Sequence, residues 1–153
     1  MAPAEMSAQT DSPHKHIRRY TVAVDFDGVL HQYRTPCVNA HTIPDSPVPG
    51  ALAWLHETLQ HFDVVIYSTR CRTWRGRRAI RRWMRENASA WWYETGVPSD
   101  RGLEDVRLSY SKPIALIYID DRAWRFEGRF PTRKEIHQAQ PWKVALNERG
   151  GAA

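Results

Sequence analysis

The chain has 153 residues, 42% of them apolar and 25% charged, with a formal charge of +5 and an isoelectric point near 9.5. A length of that order suits one domain whose single core needs no covalent staple. Two cysteines, Cys37 and Cys71, exclude a disulfide framework and a four-cysteine zinc site, and no apolar run approaches the ~18 residues of a membrane-spanning helix.

The elements follow in chain order. Residues 1–16 mix Ala, Pro, Ser and charge without apolar periodicity and read as a disordered tail. His14 and His16 lie in it with no third metal ligand nearby. The same stretch lacks the apolar segment of a signal peptide, so a cytoplasmic location is expected. YTVAVDF (20–26) is a short β-branched run that predicts a buried strand. Residues 31–50 hold four Pro and no period, which predicts a loop containing at most a short hairpin. Ala51, Leu52, Leu55 and Leu59 then recur at helical spacing, entered through Pro49-Gly50, and DVVIYS (63–68) predicts a second buried strand.

Thr73 is a predicted cap for a helix from Trp74 to about Ala88, with Ile80, Trp83 and Met84 toward the core, and ASAWWYETGVPSDRG (88–102) reads as a further helical turn and then loop. VRLSYS and IALIYID (114–120) predict two further strands, and RKEIHQA (133–139) a short helix between Pro131 and Pro141. Residues 147–153 read as a second tail, leaving 17–146 as one domain. Strand–helix alternation with near-continuous apolar strands predicts an α/β fold, a mostly parallel sheet with helices on both faces.

The charge is not spread along these elements. Of the 22 basic residues 18 are Arg, and eight of those lie between Arg70 and Arg85 with no acid among them. The segment carries +8 and leaves −3 for the rest of the chain. It reads either as a solvated helix face or as a surface for an anionic partner such as nucleic acid, with Trp74 and Trp91-Trp92 as candidate stacking surfaces.

Three predicted strands end in chemistry, and parallel alignment would bring those ends to one edge of the sheet. Asp25 and Asp27, two apart as strand gives way to loop, point the same way, and Gly28 lets the chain turn. Asp120 and Asp121 end the last strand. Carboxylates converging in this way repel unless a cation bridges them, and an all-oxygen donor set favours Mg²⁺. A carboxylate in such a site can attack phosphorus to give an aspartyl-phosphate. The transferring group then needs a cation and hydrogen-bond donors, for which Lys112, the Ser68 hydroxyl, the Thr69 backbone and Arg70 are candidates.

These residues, in this order, resemble the haloacid dehalogenase (HAD) superfamily of phosphotransferases. DFDGVL resembles its first motif, VVIYST its second, Lys112 its third and YIDD its fourth. The resemblance implies Asp25 as nucleophile and metal ligand. It implies Asp27 as general acid/base that also offers its backbone carbonyl to the metal. Ser68 and Lys112 would hold the phosphate, and Asp120 and Asp121 would complete a Mg²⁺ site, one directly and one through water, with either order open.

A second Asp in the first motif implies a phosphatase rather than a dehalogenase. The gaps between motifs hold 40 residues (Asp27 to Ser68) and 42 residues (Thr69 to Lys112), too few for a cap domain beside the predicted elements. DDRAWRFEGRFP, VPGALAWL and VVIYSTR are similar to small bacteriophage-type HAD proteins, some with polynucleotide kinase/phosphatase-like names. No GxxxxGK[ST] occurs, so no kinase half is expected. The implied activity is a Mg²⁺-dependent phosphomonoesterase. Its substrate is either a small phosphomonoester or a nucleic-acid end carrying a 3′-phosphate; a deoxyribonucleotidase and a non-catalytic phosphate- or nucleic-acid-binding module are the alternatives.

Overall fold

The computed structural model describes residues 19–97, 102–103 and 106–139. The two expected tails, 1–16 and 147–153, lie outside the described residues. Four strands form one all-parallel sheet: β1 (Thr21–Val24), β2 (Asp63–Tyr67), β3 (Arg107–Ser109) and β4 (Ile117–Ile119), in the order β3-β2-β1-β4. Three helices accompany them: α1 (Ala51–His61), α2 (Trp74–Thr95) and α3 (Arg133–Gln138). No cap domain is present among the described residues, and no described helix is long and apolar enough to cross a membrane.

Register fixes the two faces of the sheet. Val24 pairs Ile66 and Ile119, and these residues with Val64 share one face because side chains alternate along a strand. That face joins one core cluster with Leu52, Leu55 and Leu59 of α1 and with Ile80, Trp83, Met84 and Ala88 of α2. Both long helices therefore pack on the same side. Among the described residues the two long helices lie on one face rather than on both, and topology supplies the reason. The chain steps from β1 to β2 to β3 in one direction, and right-handed crossovers put both connecting helices on one face. The return from β3 to β4 contains no helix. Residues 110–116 cross the other face as a strap, where the Tyr118 hydroxyl donates to the Pro113 carbonyl and the Lys112 ammonium lies over the Tyr118 ring.

Other differences are local. Helix α2 and the further turn expected after Ala88 are one helix of 22 residues to Thr95, ended by Gly96 in the left-handed conformation (φ 65°). The hairpin allowed for 31–50 reduces to one antiparallel bridge between His31 and Pro47. Strand β4 begins at Ile117 rather than 114, since Leu116 meets β1 only through its N–H to the Thr21 carbonyl. At the C-terminal side, α3 is held by a capping box between Thr132 and Glu135, with Arg129 gripping the same carboxylate at 2.9 Å.

Between β2 and α2 lies a 3₁₀ turn, Thr69–Arg72, with Ser68 as its cap. Gly76, in the first turn of α2, lets that helix rest on this turn: a Cβ there would stand 2.0 Å from the Arg70 carbonyl oxygen. Helix propensity alone favours Ala over Gly by about 1 kcal/mol. The contact predicts the opposite sign. Gly76→Ala is expected to destabilise the chain by about 2 kcal/mol in urea denaturation, in the range of overpacked cores, whereas a stabilised variant would show that α2 does not sit this close.

Candidate active site

The strand order places a topological switch point between β1 and β4, where chains depart to opposite sides and ligands gather in α/β sheets. Asp25 follows β1 and Asp120-Asp121 follow β4. The Asp25 N–H donates to the Ile119 carbonyl at 2.8 Å, which locks the two strand ends together. One carboxylate oxygen from each of Asp25, Asp120 and Asp121 lies within 4.8 Å of the others. Gly28 lies directly against the group, for a Cβ on it would come within 2.6 Å of Asp121 Oδ2, and its φ of +88° is one that L side chains rarely adopt. Hard, all-oxygen donors at this spacing suit a divalent cation such as Mg²⁺.

The electrostatics of Asp25 follow from this crowding. Burial is the largest influence on its carboxyl; the Phe26 N–H at 2.7 Å opposes it, and the charges of Asp120, Asp27 and Asp121 add to it. Together they push the group up to about 7.

Asp27 is two residues away and differs in kind. Its Oδ2 accepts from Arg70 Nε at 2.7 Å, and its Oδ1 lies 3.0 Å from His31 Nδ1. His31 Nε2 accepts from the Asp45 N–H at 3.2 Å, so the ring proton sits on Nδ1 and is donated to Asp27. Burial alone would raise the Asp27 carboxyl, but the His31 and Arg70 hydrogen bonds and the Arg70 charge outweigh it and hold the group below the usual range. The His31 ring is fully buried, stacked on Phe26 at 5.5 Å and edge-on to Trp83 at 5.8 Å.

The remaining expected residues divide. Ser68 is buried at the end of β2, its Oγ accepting from the Arg70 N–H at 3.3 Å, and Thr69 opens the turn that follows. Arg70, expected as a phosphate ligand, is instead committed inward. Besides Asp27, it donates through Nη1 to the carbonyls of Asn39, Ala40 and Thr42 at 3.1, 3.2 and 3.0 Å. Lys112 is exposed, with its ammonium 4.7 Å from the Tyr118 ring centroid, and it forms no ion pair among the described residues. Asp121 also lines a surface cleft of about 540 Å³ with Arg122, Trp124, Glu135 and Gln138. Cys71 is a buried bystander whose thiol burial pushes up, against the pull of Arg77. His31 and Asp45 were absent from the sequence-derived site. A His four residues after an Asp in a loop carries no period, and only the fold brings its far nitrogen to Asp45.

Compared with family models, curated proteins and solved structures, the chain matches none.

Two outcomes follow from these geometries. The folded state holds the Asp25 proton to about 7, whereas an ordinary Asp releases it near 3.8, so the folded state binds more protons between those values. Stability should then fall as pH rises through that window. In EDTA the melting temperature is expected to drop from pH 5 to pH 8, and Asp25→Asn to flatten the drop; an unchanged slope in the variant would refute the assignment. His31→Phe keeps the ring stack but removes both hydrogen bonds, and should cost about 1–3 kcal/mol in urea denaturation, the penalty of unpaired buried polar groups.

Proposed function

We propose that the chain is a Mg²⁺-dependent phosphomonoesterase of the HAD type, acting through an aspartyl-phosphate on Asp25. The observation that supports this reading best is the meeting of Asp25, Asp120 and Asp121 at the switch point of a parallel sheet. Asp25, Asp120, Asp121 and the Asp27 carbonyl would hold the Mg²⁺, which when bound neutralises the carboxylates and the charge developing on the phosphoryl oxygens.

In the first half-reaction an Asp25 oxygen attacks phosphorus, the phosphorus–leaving-group bond breaks, and the departing oxygen takes a proton from Asp27. In the second, Asp27 takes a proton from water, whose oxygen attacks phosphorus and releases Asp25 and inorganic phosphate. Arg70 and His31 make Asp27 a carboxyl that gives its proton readily but holds it rarely near neutrality. Substrates with poor leaving groups therefore depend on it most. Ser68 and Thr69 offer a hydroxyl and backbone at the start of a turn, and Lys112 would supply the cation for the phosphate. The cleft beside Asp121 receives the organic part of a small phosphomonoester. Intact Asp25 and Asp27 weigh against a non-catalytic binding module, and the lack of a cap among the described residues weighs against a deoxyribonucleotidase.

Hydrolysis of p-nitrophenyl phosphate should require Mg²⁺, stop with EDTA, and fall at least a thousandfold in Asp25→Asn. Asp27→Asn should lose about 10²–10⁴-fold on an alkyl phosphate, the usual worth of a general acid, and markedly less in the first half-reaction with p-nitrophenyl phosphate, read as a burst. Robust Mg²⁺-dependent turnover by Asp25→Asn would overturn the aspartyl-phosphate route.

A further inference from the structure

The arginine-rich segment does not act as one patch. Arg70 turns inward to Asp27 and the 39–42 loop, and Arg77 Nε donates to the Cys71 carbonyl at 2.6 Å. Arg75, Arg78 and Arg82 turn outward. With Trp74, Ala79 and His41 they line a groove of about 220 Å³. None of the three forms an ion pair among the described residues. Their spacing, three and then four residues, sets them on one helix face over about 10 Å at 1.5 Å per residue. Trp74 is 67% exposed at the groove's upper end, with the Arg75 guanidinium 5.4 Å from its ring centroid.

The groove and the Asp27 clamp share the 39–42 loop. His41 forms part of its wall, and His41 stands between the Ala40 and Thr42 carbonyls that Arg70 grips while Arg70 also holds Asp27. The groove also begins at Trp74, the first residue of α2, directly after the Thr69–Arg72 turn that leaves β2.

We propose that this groove binds the single-stranded nucleic acid that carries the scissile terminal phosphate, its phosphodiesters on Arg75, Arg78 and Arg82 and a base on Trp74. The proposal rests on the phosphomonoesterase reading above and names its substrate class. Guanidinium groups grip phosphate oxygens bidentately and stack on flat rings, which ammonium groups do not. An exposed Trp backed by Arg is a platform for an unpaired base, whereas a duplex keeps its bases stacked inside. A membrane surface would call for apolar side chains along the same face, and Trp74 is the only exposed one there.

The test is fluorescence anisotropy of a labelled, terminally phosphorylated oligo-dT with the full chain in EDTA, so that binding is read without turnover. Three phosphates neutralised on a single strand give a slope of log K against log salt near −2. Between 50 and 200 mM salt that is about a 15-fold loss of affinity. Arg75→Ala, Arg78→Ala and Arg82→Ala combined should remove this slope. A matched triple variant, Arg107→Ala with Arg125→Ala and Arg133→Ala, has the same net charge and should keep it. Trp74→Ala should weaken binding about tenfold, within the usual worth of one stacked base.

With Mg²⁺, the groove variant should lose kcat/KM on the oligonucleotide and retain its rate on p-nitrophenyl phosphate. Equal binding by the two triple variants would overturn the proposal, as would binding to phosphatidylserine vesicles but not to oligo-dT. Absence of all turnover would remove the phosphatase reading and with it the substrate role, while the anisotropy series would still decide whether the groove holds single strands.

Discussion

The guanidinium of Arg70, which follows β2, is buried against the loop after β1, and it can lie there because that loop offers it Asp27 and three backbone carbonyls. Burial of an unpaired charge of this size costs several kcal/mol. Asp27 supplies the opposite charge at 2.7 Å, and three consecutive-region carbonyls of Asn39, Ala40 and Thr42 fill Nη1. The Tyr33 ring stands 6.0 Å from the same guanidinium. A proline-rich loop with no strand or helix of its own is thereby given a fixed shape. His31 completes the arrangement from the other oxygen of Asp27, joining it to Asp45, whose carbonyl accepts from Trp83 Nε1 of α2 at 2.9 Å.

This clamp divides two carboxylates that the sequence presents as a pair. Asp25 has the Phe26 N–H for its oxygen but no cation beside it among the described side chains, and three negative neighbours; Asp27 has a guanidinium and an imidazole. The first is pushed up and the second held down, although they are only two residues apart. Pairs of acids whose surroundings separate them in this way are suited to different tasks in one reaction. The same clamp commits the Nε and Nη1 of Arg70 to structure and leaves only Nη2 without a partner.

Much of the fold was legible because it depends on local pattern. The apolar runs gave the strands, the spacing of Leu52, Leu55 and Leu59 gave α1, and Asp25, Asp120 and Asp121 were named because strand ends gather at one edge of a parallel sheet. What escaped depended on contacts between distant segments. The side of the sheet taken by each helix follows from strand order, which periodicity does not encode. The further turn read after Ala88 proves continuous with α2 as far as Thr95, since nothing before Gly96 breaks the helix. Lys112 was placed by its nearness to the last strand, but the strap that carries it crosses to the face of Tyr118. Arg70 was read from charge alone, and charge does not say whether a guanidinium faces solvent or a loop's carbonyls.

The same topology that puts α1 and α2 on one face also decides where the basic segment begins. Strand β2 lies beside β1, so the chain emerging from β2 does so one strand away from Asp25, and the turn at Thr69–Arg72 delivers it straight into α2. The positive end of that helix, capped by Thr73 through the Gly76 N–H, thus starts one strand away from Asp25. Gly76 removes the one side chain that would hold α2 off this turn. Arginines placed on the first two outer turns of such a helix cannot be remote from a phosphate bound at the strand ends, and arginines placed on its last turns could not be near it. The chain's net charge of +5 is therefore less informative than its polarity: the basic residues cluster at the end of α2 that faces the acids. Close packing of the turn, the clamp on Asp27 and the open groove are parts of a single solution for setting positive charge beside negative without neutralising it.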